Sequence, residues 1–118
     1  MAAKKKTPAG AKVYQIKITL LGSHIPIWRR FLVKDAVTLD DLHDIVQIVM
    51  GWEFSNLYQF YRGRQELPSE ARLSQAAPRA RAKIYYIYDI GDYWEHEILV
   101  EKTLPDHPGL RHPEVLAA

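Results

Sequence analysis

Residues 13–33 read VYQIKITLLGSHIPIWRRFLV, and the fold class turns on how they are read. Tyr14, Ile16, Ile18 and Leu20 alternate with Gln15, Lys17 and Thr19. A period of two belongs to a half-buried strand. Gly22 and Pro26 break the pattern within GSHIP, and residues 27–33 resume it. So short a connection predicts an antiparallel hairpin. Arg29 falls on the face of Ile27, Phe31 and Val33, whereas Arg30 shares its face with Trp28 and Leu32. One guanidinium must therefore meet apolar neighbours, where it needs a carboxylate. Asp89 or Asp92 can supply it; the alternative is an arginine left open for an anionic ligand.

The pattern then changes period. Leu39, Leu42, Ile45, Val46, Val49 and Met50 form one stripe at helical spacing. Thr38 is placed to cap that helix, with Asp41 three residues on and Asp40 beside it at the positive end of the dipole. Gly51 is placed to stop it. His43 flanks the stripe with Gln47 one turn on, and Ile48 lies off it.

Residues 57–62 read as a third strand, 83–89 as a fourth and 93–102 as a fifth, with IGDY as a hairpin bend at Gly91. Between the third and fourth lies a polar, proline-containing stretch with one short helical turn near residues 71–76. Residues 106–118 read as an irregular tail and residues 1–12 as a disordered basic one. The order β-β-α-β-β-β predicts an α+β domain: a largely antiparallel sheet covered by one main helix, roll-like or β-grasp-like.

The 118 residues suffice for one domain over residues 13–105. No apolar run has the length of a membrane span and no secretory signal opens the chain, so a cytoplasmic location is expected. Cysteine is absent, which excludes disulfides, thiolate nucleophiles and cysteine-ligated metals. The net charge of +2 is unevenly spread. Four lysines, among them Lys4, Lys5 and Lys6, stand in the first twelve residues with no acid. Residues 62–83 hold six cations, including Arg62, Arg64, Arg79 and Arg81, against two acids. Residues 84–106 hold six acids against one lysine. The two blocks either neutralise each other or present a basic surface to a nucleic acid.

Residues 88–98, YDIGDYWEHEI, pack Asp89, Asp92, Glu95, His96 and Glu97 into one short stretch. These are residue types of acid–base and metal chemistry. Strand alternation, however, turns His96 away from Glu95 and Glu97 and toward Trp94, Ile98 and Val100. His96 then reads as a hydrogen-bonded core histidine, and Asp89 and Asp92 as turn residues around Gly91. No histidine pair has the i, i+4 spacing of a zinc site, and no phosphate-loop, dinucleotide or nucleophile-elbow motif is present. No metal or cofactor is expected.

Three segments taken together, PIWRRFLV, TLDDLHDIVQIVMGWEFSNLYQF and YDIGDYWEHEILVEKTLP, resemble the plasmid pRiA4b ORF-3-like family over residues 13–105. The motif positions fall on Trp28, Arg29 and Arg30, on Leu42 and His43, on Gly51 and Trp52, on Phe60, and on Tyr88, Asp89, Gly91, Asp92, Trp94, His96 and Glu97. The resemblance implies an α+β domain of bacteria and archaea, often associated with mobile elements, and brings no established activity. The chain departs from the pattern at Asn56 and Tyr58, where the family often has histidines, and at Val115, in the place of a cysteine. A site built on those positions is incomplete here.

Three functions follow as expectations. The first is a binding or protein-interaction module whose surface combines the aromatic hairpin, Trp52, Arg29 and Arg30. The second is a metal-binding or hydrolytic accessory enzyme using His43, Asp89, Asp92 and His96. The third is nucleic-acid binding through the lysine tail and the arginine-rich loop. A protein partner is expected first, then nucleic acid, with self-association a further option.

Overall fold

The expected hairpin forms. In the computed structural model, which describes residues 12–52, 57–88 and 93–118, β1 (Lys12–Leu20) and β2 (Trp28–Lys34) pair antiparallel with Ile16 opposite Phe31 and Ile18 opposite Arg29. Helix α1 (Leu39–Met50) follows, then β3 (Tyr58–Arg62), β4 (Gln65–Leu67), the one-turn α2 (Leu73–Ala76), β5 (Lys83–Tyr88), β6 (Trp94–Pro105) and β7 (Glu114–Ala117). The strands form one seven-stranded sheet in the order β4-β3-β5-β6-β1-β2-β7, and its neighbouring strands pair antiparallel. The α+β class stands.

Two strands correct the expected element order. β4 lies inside the stretch expected to be loop, and β7 pairs with β2 within the tail expected to be irregular. Both are short, and the prolines at 105, 108 and 113 hide β7 in the sequence. Lys12 opens β1 rather than closing a tail; residues 1–11, with Lys4, Lys5 and Lys6, lie outside the described residues.

Helix α1 is delimited as its sequence predicts. Thr38 Oγ1 accepts the Asp41 amide at 3.1 Å while the Asp41 carboxylate accepts the Thr38 amide at 3.3 Å, a complete capping box. Gly51 ends the helix in the left-handed region at φ 76°. The buried face is rotated from the expected stripe: Leu39, Leu42, His43, Val46, Gln47 and Met50 are buried, while Ile45 and Val49 are only partly so. Two polar residues thus displace two aliphatic ones from the core side of the helix.

Directly paired residues share a face, and the pairing lays out the core side of the sheet in rows. Tyr58, Tyr88 and Trp94 stand together at one end. Next come Phe60, Tyr86, His96 and Leu20, then Ile84, Ile98, Ile18 and Arg29, then Val100, Ile16 and Phe31. The core therefore grades from aliphatic to aromatic and polar. Leu39, Leu42, Val46 and Met50 of α1 join the same cluster. Among the described residues no helix is long and apolar enough to cross a membrane.

Candidate functional site

The aromatic end of the core is organised by Tyr86. Its side chain is fully buried between His96, its partner on β6, and α1. Gln47 Nε2 donates to the Tyr86 hydroxyl at 2.8 Å, and His43 Nδ1 lies 2.7 Å from the same oxygen. The hydroxyl thus joins both side chains of α1, accepting from the amide and sharing one proton with the imidazole. Burial pushes the Tyr86 hydroxyl well above the ordinary phenol range. Gln47 Oε1 is buried without a hydrogen-bond partner among the described residues.

His96 is satisfied on both sides. Its Nδ1 donates to the Tyr86 carbonyl at 3.3 Å, and its Nε2 accepts the Trp52 indole N–H at 3.1 Å. The ring is fully buried, and burial lowers its pKa, so it is held neutral in one tautomer. Alternation along β6 places it where the sequence predicts, on the face of Ile98 and Val100.

Tyr58 closes the other flank. Its ring stacks on His43 at 3.8 Å between centroids with planes 9° apart, and its hydroxyl donates to Asp40 Oδ1 at 2.7 Å. Burial and the Asp40 carboxylate push the Tyr58 pKa up to about 12. Trp52 then connects the buried network to the surface. Its ring lies 6.4 Å from Tyr88 and 6.2 Å from Trp94, while Trp94 is 44% exposed, Tyr93 61% and Leu57 57%.

Of the expected site residues, the fold brings His43, Trp52, Trp94 and His96 into this one network. Asp89 and Asp92 lie outside the described residues. The arginines are placed elsewhere. Arg30 is on the outer face of the sheet, where Nε and Nη2 donate to the two carboxylate oxygens of Glu101 at 2.6 and 2.9 Å. Among the described residues its carboxylate partner is Glu101. The register between β1 and β6 skips Glu101, which alternation from Ile98 and Val100 already places on the outer face. Glu101 also accepts Gln15 Nε2 at 2.9 Å, and the Arg30 hydrogen bond holds its carboxyl below the usual range. Arg29, on the core face, donates Nη1 to the Trp28 carbonyl at 2.8 Å.

Sequence reading missed Tyr58, Tyr86 and Gln47 as organising residues. Their signal was present but weak: Tyr86 alternates onto the face of Ile84, and Gln47 stands one turn from His43. Among the described residues, no group of three or more histidine, aspartate and glutamate side chains is arranged to hold a metal ion. Arg62, Arg64, Arg79 and Arg81 are exposed.

Comparison with known proteins extends the geometry. The family model for plasmid pRiA4b ORF-3-like proteins matches residues 12–118. The chain is 36% identical over 110 residues to the uncharacterized protein y4hQ of Sinorhizobium fredii (strain NBRC 101917 / NGR234), covering 80% of this chain and 56% of that protein. It thus spans little more than half the length of that relative. The crystal structure of MM3350, a protein of unknown function from Methanosarcina mazei Go1, superposes with a TM-score of 0.77 at 31% identity, covering 91% of this chain and 69% of that one.

Proposed function

Because this chain belongs to the plasmid pRiA4b ORF-3-like family, we propose that it serves plasmid or mobile-element biology as a non-enzymatic protein-interaction module. The contact surface is the aromatic end of the sheet. One observation carries this reading. Trp94 stays exposed beside Trp52, and Tyr93 and Leu57 are exposed too, while the imidazoles of the network are tied into the core. Exposed aromatic side chains on a rigid base are the usual anchors of protein interfaces. The hydrogen bonds of Trp52, His96 and Tyr86 fix that base, so little side-chain freedom is lost on binding. In the same reading α1 is the main cover of the core face, in a roll-like or β-grasp-like arrangement, and the protein works in the cytoplasm.

The accessory-enzyme reading needs His43 or His96 to reach a carboxylate and solvent together. The burial of both rings disfavours it. The partner expected is a protein presenting apolar side chains; a second copy of the chain is the other outcome of the test. That test is a selection of displayed peptides on the full chain, repeated on Tyr93→Ser/Trp94→Ser. Peptides that bind the wild type and lose about tenfold or more on the variant support the surface. Peptides indifferent to the change, with sedimentation showing a monomer for both proteins, count against it.

A further inference from the structure

Among the described residues the expected neutralisation of the basic block by the acidic one is sparse. Lys83 reaches Glu97 at 3.4 Å, and Glu101 is taken by Arg30. Among the described residues no carboxylate pairs with Arg62, Arg79 or Arg81. These three arginines line a single open concavity of about 370 Å3 whose remaining walls are Pro78, Ala80 and Ala82. Among the described residues no acidic side chain lines it.

The concavity is built on fixed backbone. Arg62 Nη1 donates to the Ala76 carbonyl at 2.8 Å and to the Gln75 carbonyl at 3.3 Å, so its guanidinium is anchored while its other N–H groups remain. The Arg79–Ala82 turn closes with the Ala82 amide on the Arg79 carbonyl at 3.2 Å. That turn is bolted to β6, because the Arg81 amide donates to the Val100 carbonyl at 2.7 Å and the Val100 amide to Ala82 at 3.0 Å. Arg81 itself sits at φ 76°, a left-handed conformation in which glycine is relaxed and an arginine is strained. Strain of this kind, held by surrounding structure, points to a use for the side chain.

We propose that Arg62, Arg79 and Arg81 form a phosphate-binding site, whose ligand is the phosphodiester backbone of a nucleic acid or the phosphates of a small molecule. Guanidinium forks match phosphate oxygens, and three around one concavity with no competing carboxylate favour a polyanion. The site is separate from the aromatic surface and stands or falls without it.

The test is binding of a labelled short single-stranded oligonucleotide to the full chain, with pyrophosphate as competitor. Arg79→Ala/Arg81→Gly is the variant, chosen because glycine relieves the backbone at position 81. Its melting temperature should stay at or above that of the wild type, and its affinity should fall about tenfold or more, with a shallower salt dependence. Displacement by pyrophosphate at a concentration near its own binding midpoint assigns a small phosphate ligand, and failure to displace assigns the strand. A folded variant that binds the oligonucleotide as tightly as the wild type overturns the site. So does complete loss of binding in Lys4→Gln/Lys5→Gln/Lys6→Gln while the arginine variant is unaffected.

Discussion

Trp52 donates its indole N–H to Nε2 of His96 across 3.1 Å, and that single bond joins the segment after α1 to β6. It settles the histidine tautomer from one side, as the Tyr86 carbonyl does from the other. The indole ring meanwhile lies among Tyr88 and Trp94. One side chain therefore serves the core with its polar edge and the candidate surface with its faces.

Trp52→Phe keeps an aromatic ring but removes the one donor to His96 Nε2 among the described residues. A buried acceptor left empty costs about 1–3 kcal/mol, and that loss is expected in urea unfolding at neutral pH. An unchanged unfolding midpoint would show that another donor reaches the nitrogen.

Acid should expose the same bond. Burial lowers the His96 pKa below its ordinary 6.5, so the unfolded chain binds the proton more readily than the folded one. Stability from this group is complete above about pH 6.5 and is lost as pH falls through the lower folded value. His96→Gln should flatten the decline in unfolding free energy measured from about pH 7 to pH 5. A decline of equal slope in the variant would place its origin elsewhere.

The fold was legible where one period dominates. The β1 and β2 alternation, the Thr38 capping box and the Gly51 stop each rest on neighbours in sequence, and each appears as read. Alternation puts Arg30 and Glu101 on one face, but only the strand order, with β2 and β6 flanking β1, brings them together, and that order rests on tertiary pairing. β4 and β7 are too short to show a period. The rotation of α1 toward His43 and Gln47 has the same cause: only the position of the Tyr86 hydroxyl on another strand makes those polar residues better buried than Ile45 and Val49.

Tyr86→Phe should therefore be among the more harmful conservative changes in the core. It strips a partner from both His43 and Gln47, and about 1–3 kcal/mol of unfolding free energy is the expected loss. Gln47→Met should cost less, since Gln47 Oε1 already lies buried without a partner among the described residues and its removal relieves that desolvation. The double variant should lose less than the sum of the two, which denaturant titration of all four proteins would read directly.

The Arg30–Glu101 pair is forked but partly exposed, at 29% and 20% of the side chains. Its contribution is small and screened. Because the Glu101 pKa is lowered from 4.5, its share is present above that value and lost as pH falls below it. A double-mutant cycle of Arg30→Met and Glu101→Gln should show favourable coupling at neutral pH and low salt, weakening in high salt and at about pH 3. Coupling insensitive to both would mean that stacking of the Arg30 guanidinium over Trp28, not its charge pairing with Glu101, holds the pair.

Gly51 tests how far the helix cap positions the surface. Its φ of 76° strains any side chain, yet a Cβ there meets no atom within 4 Å. Gly51→Ala should thus cost about 1 kcal/mol through backbone conformation alone, and Gly51→Asn less, because asparagine tolerates the left-handed region. The next amide, that of Trp52, donates to the Gln47 carbonyl at 2.9 Å, so relaxation of the cap moves the base of the indole. Tryptophan emission and denaturant unfolding, read on the same samples, separate the two effects. Loss of stability with an unshifted spectrum leaves the cap a helix stop only. A shifted spectrum in Gly51→Ala that returns toward wild type in Gly51→Asn makes the left-handed cap the element that seats Trp52 against His96.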